Sequence, residues 1–427
     1  MASSLPWHGW IGSQIEQLRA QDLLRTLKPL IPGRSAAEVL VAPDVLRAWT
    51  EECDPQSCEG LPTEGSLLRL FSSNDYTGLS CHPSVCRAAA DAVLRHGMGP
   101  RSSAVVGGYT FLHEELERAL ADLKQTEDCL LFPTGFAANV AVVSALCSSN
   151  NVTIFSDELN HASIIDGARL ASRQQGKLVV YRHNDMQHLD RLLLACPPSH
   201  RKLVITDSLF SMDGDFADLA GLTALRRKHN FLLAVDEAHA TFVCGERGGG
   251  AAEMFGVSEE VDVHIGTLSK AVGAHGGFVA CSAALKSLLL NKGRPYVFST
   301  ALTVPVVAAA LAAVRVNEQE PERRDHLWRL VHRLGQGLGV RAESPVVPLI
   351  VGSEAAALKA SAQLLQRGFY VPAIRPPTVA PGTSRLRISL SAAHSEEDVD
   401  SLLQALRECG IIPAQVAPAA MPVRAKL

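Results

Sequence analysis

The chain has 427 residues, of which 47% are hydrophobic and 20% charged, with a formal net charge of −4. That is enough chain for two or three domains around a large core. Lysines and arginines are spread thinly and form no basic stripe, which excludes a nucleic-acid-binding surface. The 10 cysteines are scattered and include no CxxC pair, so they read as reduced thiols, not as a disulfide framework or a metal site.

The opening residues, MASSLPWHGWIGSQIEQLRA, lack a basic start followed by an apolar core, so no secretory leader is read there. An Arg-rich transit peptide fits poorly because Glu16 and Asp22 interrupt it. Ile15, Leu18, Leu23, Leu24 and Leu27 predict an amphipathic helix over 13–28. Residues 53–66, CDPQSCEGLPTEGS, are rich in turn formers and read as a loop.

From Leu67 onward, short apolar runs alternate with longer helical segments. The runs are CLLF, NVTIFS, LVVYR, KLVITDS, FLLAVDEAH, VDVHIGT and GGFVACS. Each is too short for a helix, and several carry Val or Ile. The alternation predicts βα units around a mostly parallel, buried central sheet, an α/β fold. Such sheets bind ligands at the carboxyl ends of their strands. Polar residues gather there: Asp207 and Ser211 after KLVIT, Asp236 and His239 after FLLAV, Thr267 and Lys270 after VHIG.

Tyr296–Val314 carries no charged residue. Ser299, Thr300, Thr303 and Pro305 make it a buried helix beginning near Thr303 rather than a membrane span. After about Pro305 the pattern becomes that of a smaller α+β domain with an antiparallel sheet. The expected organisation is an N-terminal extension over 1–68, a large domain over 69–305, a small domain over 306–412 and a Pro/Ala-rich tail over 413–427.

Lys270 is the residue that asks for an explanation. A P-loop clamp needs GxxxxGK[ST], which the residues before Lys270 do not supply. A solvated lysine is the plain alternative, weakened by the small and apolar neighbours Ala271, Val272, Gly273 and Ala274. A partly buried lysine has a lowered pKa and serves as a nucleophilic amine, most often in Schiff-base chemistry. Pyridoxal 5'-phosphate (PLP) gives the surrounding polar residues one purpose. It needs a lysine for its aldehyde and a carboxylate near its ring nitrogen, for which Asp236 is placed. His239 could meet the ring hydroxyl and His161, in ELNHAS, could stack on the ring. Thr134, Gly135 and Phe136 precede a helical pattern, where backbone N–H groups would receive a phosphate.

The motifs SSNDYTGLS, GYTFLHEELE, TGFAAN, NHASIIDGARLA, FSMDGD, VDEAH and LSKAVGAHGG resemble those of the α-oxoamine synthases, PLP-dependent enzymes of the aminotransferase-like fold type I. The likeness runs from about Gln21 to Gly410. The segment Ala373–His394 looks most like the biotin-pathway branch, and relatives that use acetyl-CoA, succinyl-CoA or palmitoyl-CoA resemble it less around Pro376–Pro377–Thr378. The resemblance implies a decarboxylative condensation of L-alanine with pimeloyl-CoA, catalysed with Lys270, His161 and Asp236. It implies cofactor contacts from Gly135, Phe136, Ser211, His239 and Thr267, and from Ser299 and Thr300 to a partner subunit's phosphate in a homodimer. Arg387 would bind the amino-acid carboxylate, and Arg25, Asn74 and Thr378 match other substrate-binding positions. A solvated helix residue is the plain alternative for Arg25. The other expectations are a different amino acid and acyl-CoA pair on the same chemistry, or a non-catalytic subunit of this fold. Asp207 stands where the family often has Glu, and TLSK replaces the usual lead into the lysine. The terminal Ala425–Lys426–Leu427 resembles a receptor-read peroxisomal signal, with the cytoplasm as the alternative location.

Overall fold

A computed structural model describes residues 6–20, 24, 26–53, 65–147, 151–173 and 176–412. The readings of Arg25 and of the tail, and most of the 53–66 loop, lie outside these residues.

The seven apolar runs are seven strands of one sheet. In chain order they are β1 (Asp128–Phe132), β2 (Val152–Asp157), β3 (Lys177–Tyr181), β4 (Arg201–Asp207), β5 (Leu232–Asp236), β6 (Val263–Thr267) and β7 (Gly277–Cys281). Their spatial order is β1-β7-β6-β5-β4-β2-β3. From β6 to β3 all neighbours are parallel, while β7 runs antiparallel to both β6 and β1. Helices cover both faces, so β2, β6 and β7 are buried along their whole length. That is why these strands read as continuous apolar runs with no polar alternation.

The strands β2, β4, β5 and β6 end at Asp157, Asp207, Asp236 and Thr267. Because these four are parallel neighbours, their polar ends arrive side by side at one edge of the sheet. This is the fold's contribution to the site.

The second sheet is antiparallel and joins Val346–Gly352, Ser384–Ser389 and Ala373–Ile374. Its central strand, Ser384–Ser389, is buried throughout although it carries two arginines. A third sheet links the N-terminal strands Ile31–Pro32, Glu38–Val41 and Ser66–Leu70 to Phe369–Tyr370. The N-terminal segment is thus tied to the C-terminal lobe. The charge-poor stretch near 300 becomes the helix Val304–Gln319 with Thr303 at its N-cap, as its sequence predicts. No helix among the described residues is long and apolar enough to cross a membrane.

The first helix differs from expectation. It spans Pro6–Ala20 rather than 13–28, and Thr26–Leu30 has no regular structure. Proline fits a first helical turn, whereas Pro29 and Pro32 disfavour helix in the residues before them. Trp7, Ile11, Ile15 and Leu18 continue the stripe backwards at helical spacing and are all exposed.

Candidate active site

A cavity of about 220 Å³ opens at the polar strand ends. Gly135, Phe136, His161, Ser211, Asp236, His239, Thr267 and Lys270 all line it. Eight of the residues singled out in the sequence therefore meet in one place, drawn from five separate segments of the chain.

Asp236 closes β5 and is 5% exposed. Its two oxygens are fixed from different elements: Asn139 Nδ2 donates to Oδ2 at 2.6 Å and the Ala238 N–H donates to Oδ1 at 2.8 Å. Asn139 sits in the helix Gly135–Leu146, four residues after Gly135. Its side-chain oxygen is buried without a hydrogen-bond partner among the described residues. Thr134 caps that helix by accepting the Ala137 N–H at 3.0 Å. The helix start presses close to β7: a side chain on Gly277 would lie 2.5 Å from the Gly135 nitrogen.

Lys270 lies in the loop after β6. Its ammonium has no hydrogen-bond or ion-pair partner among the described residues. Burial lowers its pKa and the nearby Arg387 charge lowers it further, against the opposing charges of Asp236 and Asp207. The loop turns at Gly273, where φ is +70° and an added Cβ would come within 2.4 Å of the Ser80 nitrogen, so only glycine fits. Thr267 is tied to the same loop through Ser269 Oγ at 2.8 Å and Gly276 O at 2.9 Å.

The two cavity histidines are held in different ways. The His161 N–H donates to Asp207 Oδ2 at 2.8 Å, and its Nδ1 lies 2.7 Å from Ser163 Oγ. Asp207, the departure from the family pattern, thus still reaches the backbone of the stacking candidate. Burial lowers the His161 pKa. His239 is pushed well below the ordinary histidine range, first by burial and then by Lys270 and Arg387. Its Nδ1 lies 2.6 Å from the hydroxyl of Tyr76.

Tyr76 was not foreseen as a site residue. It is fully buried, and its hydroxyl donates to Asn74 Oδ1 at 3.1 Å and accepts from Arg387 Nη2 at 3.5 Å. Arg387 also donates to the Ser211 carbonyl, to Ser389 Oγ at 2.8 Å and to Asn74 Oδ1 at 3.3 Å. These acceptors are a carbonyl, an amide and two hydroxyls, and no carboxylate pairs with Arg387 among the described residues. Arg385, two residues earlier on the same strand, is instead paired with Asp213 at 2.6 Å. The charge of Arg385 is matched, and that of Arg387 remains available to an incoming anion.

Five expected residues do not line this cavity. Arg387 and Asn74 lie next to it, Arg387 through its bond to the carbonyl of the lining residue Ser211 and Asn74 through its bonds to Arg387 and Tyr76. Ser299 and Thr300 line a separate small pocket with Tyr109, His113, Glu117 and Tyr296. Thr378 is exposed on the loop between Ala373–Ile374 and Ser384–Ser389, held by its N–H to the Arg375 carbonyl at 3.0 Å. A second group that sequence reading missed is Asn139 with Ser163. A lone Asn inside the apolar run of TGFAANVAVV was the available signal.

The donor set fits PLP. An unpaired amine, a buried carboxylate, a cavity-lining histidine and a capped helix start surround one space, and the unsatisfied Asn139 oxygen beside Asp236 marks it as polar.

A family model, aminotransferase class I and II, matches residues 68–406. An 8-amino-7-oxononanoate synthase of Arabidopsis thaliana is 50% identical, over 94% of this chain and 95% of its own. One of Anaeromyxobacter dehalogenans is 45% identical, over 93% and 94%. Among solved structures, a serine palmitoyltransferase from S. paucimobilis with PLP bound aligns with a TM-score of 0.81 at 28% identity, covering 96% of this chain and 100% of that one. By these matches this chain belongs to the 8-amino-7-oxononanoate synthase family of PLP-dependent acyltransferases, of the class I and II aminotransferase fold.

Proposed function

We propose that this protein joins L-alanine to pimeloyl-CoA, forming 8-amino-7-oxononanoate with release of CO2 and CoA. The observation that carries this reading is a pair of cations with no ion-pair partner among the described residues, Lys270 in the cavity wall and Arg387 on the carbonyl of its lining residue Ser211, in a chain half identical to a named synthase. One is an amine of lowered pKa, and the other is a fork suited to a carboxylate.

Lys270 would hold PLP, with Asp236 at the ring nitrogen, His161 on the ring face, His239 and Ser211 at its edge and the Gly135–Phe136 helix start near the phosphate. When bound, PLP supplies an electron sink for a carbanion at the amino acid's Cα. The chain's own residues do the rest. Lys270 Nζ, its pKa lowered by burial, takes the Cα proton and later returns one. Arg387 orients the amino acid by its carboxylate, with Asn74 and Tyr76 holding the guanidinium in place. Asn139 and the Ala238 N–H stop Asp236 from turning away from the cavity. Across the reaction the Cα–acyl bond forms, the thioester C–S bond breaks, and the alanine carboxylate leaves as CO2.

A homodimer in which Ser299 and Thr300 complete the partner's phosphate site is part of this reading. It is supported by their place in a separate pocket and by exposed apolar residues: Phe298 beside them in sequence, and Val105 and Val106 just after Ser103, which bridges to Thr300. Peroxisomal delivery rests on Ala425–Leu427 alone. A fluorescent protein fused ahead of the chain should turn from punctate to diffuse when those residues are deleted.

The test of the reaction is CoA release by the PLP-loaded protein with paired substrates. Alanine with pimeloyl-CoA should exceed glycine with acetyl-CoA in kcat/KM by about 10²-fold or more, the scale of discrimination a built pocket gives. A preference for the glycine pair would reassign the protein to a sister activity. No turnover with any pair would favour a non-catalytic subunit.

A further inference from the structure

The segment Ser208–Ala217 leaves β4, forms a tight loop and carries Ser211 to the cavity. Its base is closed by the Leu209–Phe216 bridge and by Ala217 N–H to Ser208 O at 3.0 Å. Ser208 bonds the Asp236 carbonyl twice, through its N–H at 2.8 Å and its hydroxyl at 2.9 Å. The tip is gripped by the small domain: Arg387 holds the Ser211 carbonyl, and Arg385 holds the Met212 carbonyl and the Asp213 carboxylate. Gly214 lies so close to the Val346 carbonyl that an added Cβ would be 2.0 Å from it. One loop therefore connects Asp236, in the cavity wall, with Arg387 beside it.

What fixes that loop against the sheet is His183, in YRHND, a residue the mechanism does not use. Its Nδ1 lies 3.0 Å from Asp157 Oδ1, at the end of β2, and its Nε2 lies 2.8 Å from Asp215 Oδ2, in the loop. The ring stands edge-on to Phe210 with centroids 4.4 Å apart. Asn184 reinforces the clasp with a bond to the Phe216 carbonyl at 2.9 Å, and the His183 N–H donates to Glu158 Oε1 at 2.8 Å. Three carboxylates, Asp157, Asp215 and Glu158, thus face this one residue. Burial pulls the imidazole down, but hydrogen bonds and charge from Asp157 and Asp215 outweigh it and hold the pKa up at about 10. Both ring nitrogens therefore donate at neutral pH.

We propose that His183 is a positioning residue for the reaction: by clasping Asp157 to Asp215 it sets the Ser208–Ala217 loop and, through the Ser211 carbonyl, the guanidinium of Arg387. Neither His183 nor Asp215 lines the cavity, so this bond reaches it through the loop, which places Ser211 in the wall, ties Ser208 to Asp236 and meets Arg387. The inference deepens the assignment of Arg387 to the amino-acid carboxylate and rests on it.

The test uses the PLP-loaded protein, its His183→Asn and Asp215→Asn variants and the double variant. Amide hydrogen exchange in the 208–217 peptide should quicken by about tenfold or more in each single variant, while the 232–236 strand stays protected. KM for alanine should rise about tenfold, with kcat per PLP-bound subunit changed by less than about threefold. The double variant should match the worse single one, since both changes act on the same His183–Asp215 bond. Unchanged exchange at 208–217, a fall in kcat at constant KM, or multiplying effects in the double variant would overturn the proposal. If the unaltered protein does not use alanine, the reaction assignment fails, while the exchange arm still decides whether His183 holds the loop. Should His183→Asn not fold, Asp215→Asn, which keeps the ring on Asp157, carries the same readings.

Discussion

Two lysines lie near consecutive carboxylates at the end of β5 and meet opposite fates. Asp236 and Glu237 are consecutive, and each turns to a different side of the strand end. Glu237 is fully buried and accepts from Lys124 at 2.6 Å, from the Ala252 N–H at 2.9 Å and from His264 at 3.0 Å. Lys124 spends its remaining protons on Thr241 Oγ1, at 2.9 Å, and on the Gly249 carbonyl. Lys270 has none of these bonds. The first lysine is a satisfied buried ion pair, which holds a fold together only as long as both partners remain. The second is buried without a bonded partner, so burial lowers its pKa and its amine becomes chemically useful. Pairing, more than burial, separates a structural lysine from a reactive one.

The comparison breaks most sharply if the two lysines are removed in turn. Lys270→Ala should cut turnover by about 10³-fold or more, with the melting temperature of the apoprotein nearly unchanged. Lys124→Met should do the reverse. It strands a buried carboxylate and should cost about 3–5 kcal/mol, read by urea unfolding, with activity per folded molecule retained. Removing Glu237 as well, in Lys124→Met/Glu237→Gln, should recover part of that loss. Equal effects of the two lysines on stability would dissolve the distinction.

The same contrast recurs in the arginines of strand Ser384–Ser389, with smaller expected effects. Arg387→Ala should raise KM for alanine by roughly 10- to 100-fold, the worth of a charge-assisted fork. It should also move the Lys270 and His239 pKa values upward, because the Arg387 charge depresses both. Arg385→Ala, whose partner is Asp213, should raise KM only several-fold, by loosening the 208–217 loop. A larger effect from Arg385 would show that the wrong arginine has been given the carboxylate.

Much of this was legible before any coordinates. Buried parallel strands leave apolar runs too short for helices, and the polar residue after each run marks the ligand edge. Asp236, His239, Thr267 and Lys270 could be found that way, and the arrangement brings them to one cavity. Pairing could not be found that way, since it depends on elements far apart in the chain. Lys124 meets Glu237 across 113 residues and Tyr76 meets His239 across 163. Nothing local in SSNDYTGLS says that the tyrosine turns inward. Asn139 was legible in principle, as an amide in an apolar helix, but its partner Asp236 was not. The early helix was misplaced because its stripe was followed forward towards Pro29 instead of back to Pro6. Ser299 and Thr300 lie apart from the cavity within one chain, which spacing alone could not reveal.

The smallest and most specific consequence concerns acid. Burial pushes the Glu237 carboxyl up, but the Lys124 charge and the His264 bond outweigh it and hold its pKa down at about 2. The value in the unfolded chain is near the ordinary one of about 4.3. A carboxylate depressed on folding adds stability that is fully present above its unfolded pKa and lost as pH falls through its folded one. The window therefore runs from about pH 4.5 down to about 2, and stability should fall by on the order of 2 kcal/mol between pH 7 and 3 from this group alone. Urea unfolding of the apoprotein at pH 7, 5, 4 and 3 should show that slope. Glu237→Gln, less stable at pH 7, should show a shallower one, so that the two curves converge as acid is added. Parallel curves would mean that Glu237 is not ionised in the folded protein, and that the buried Lys124 pair is held by neutral hydrogen bonds instead of by charge.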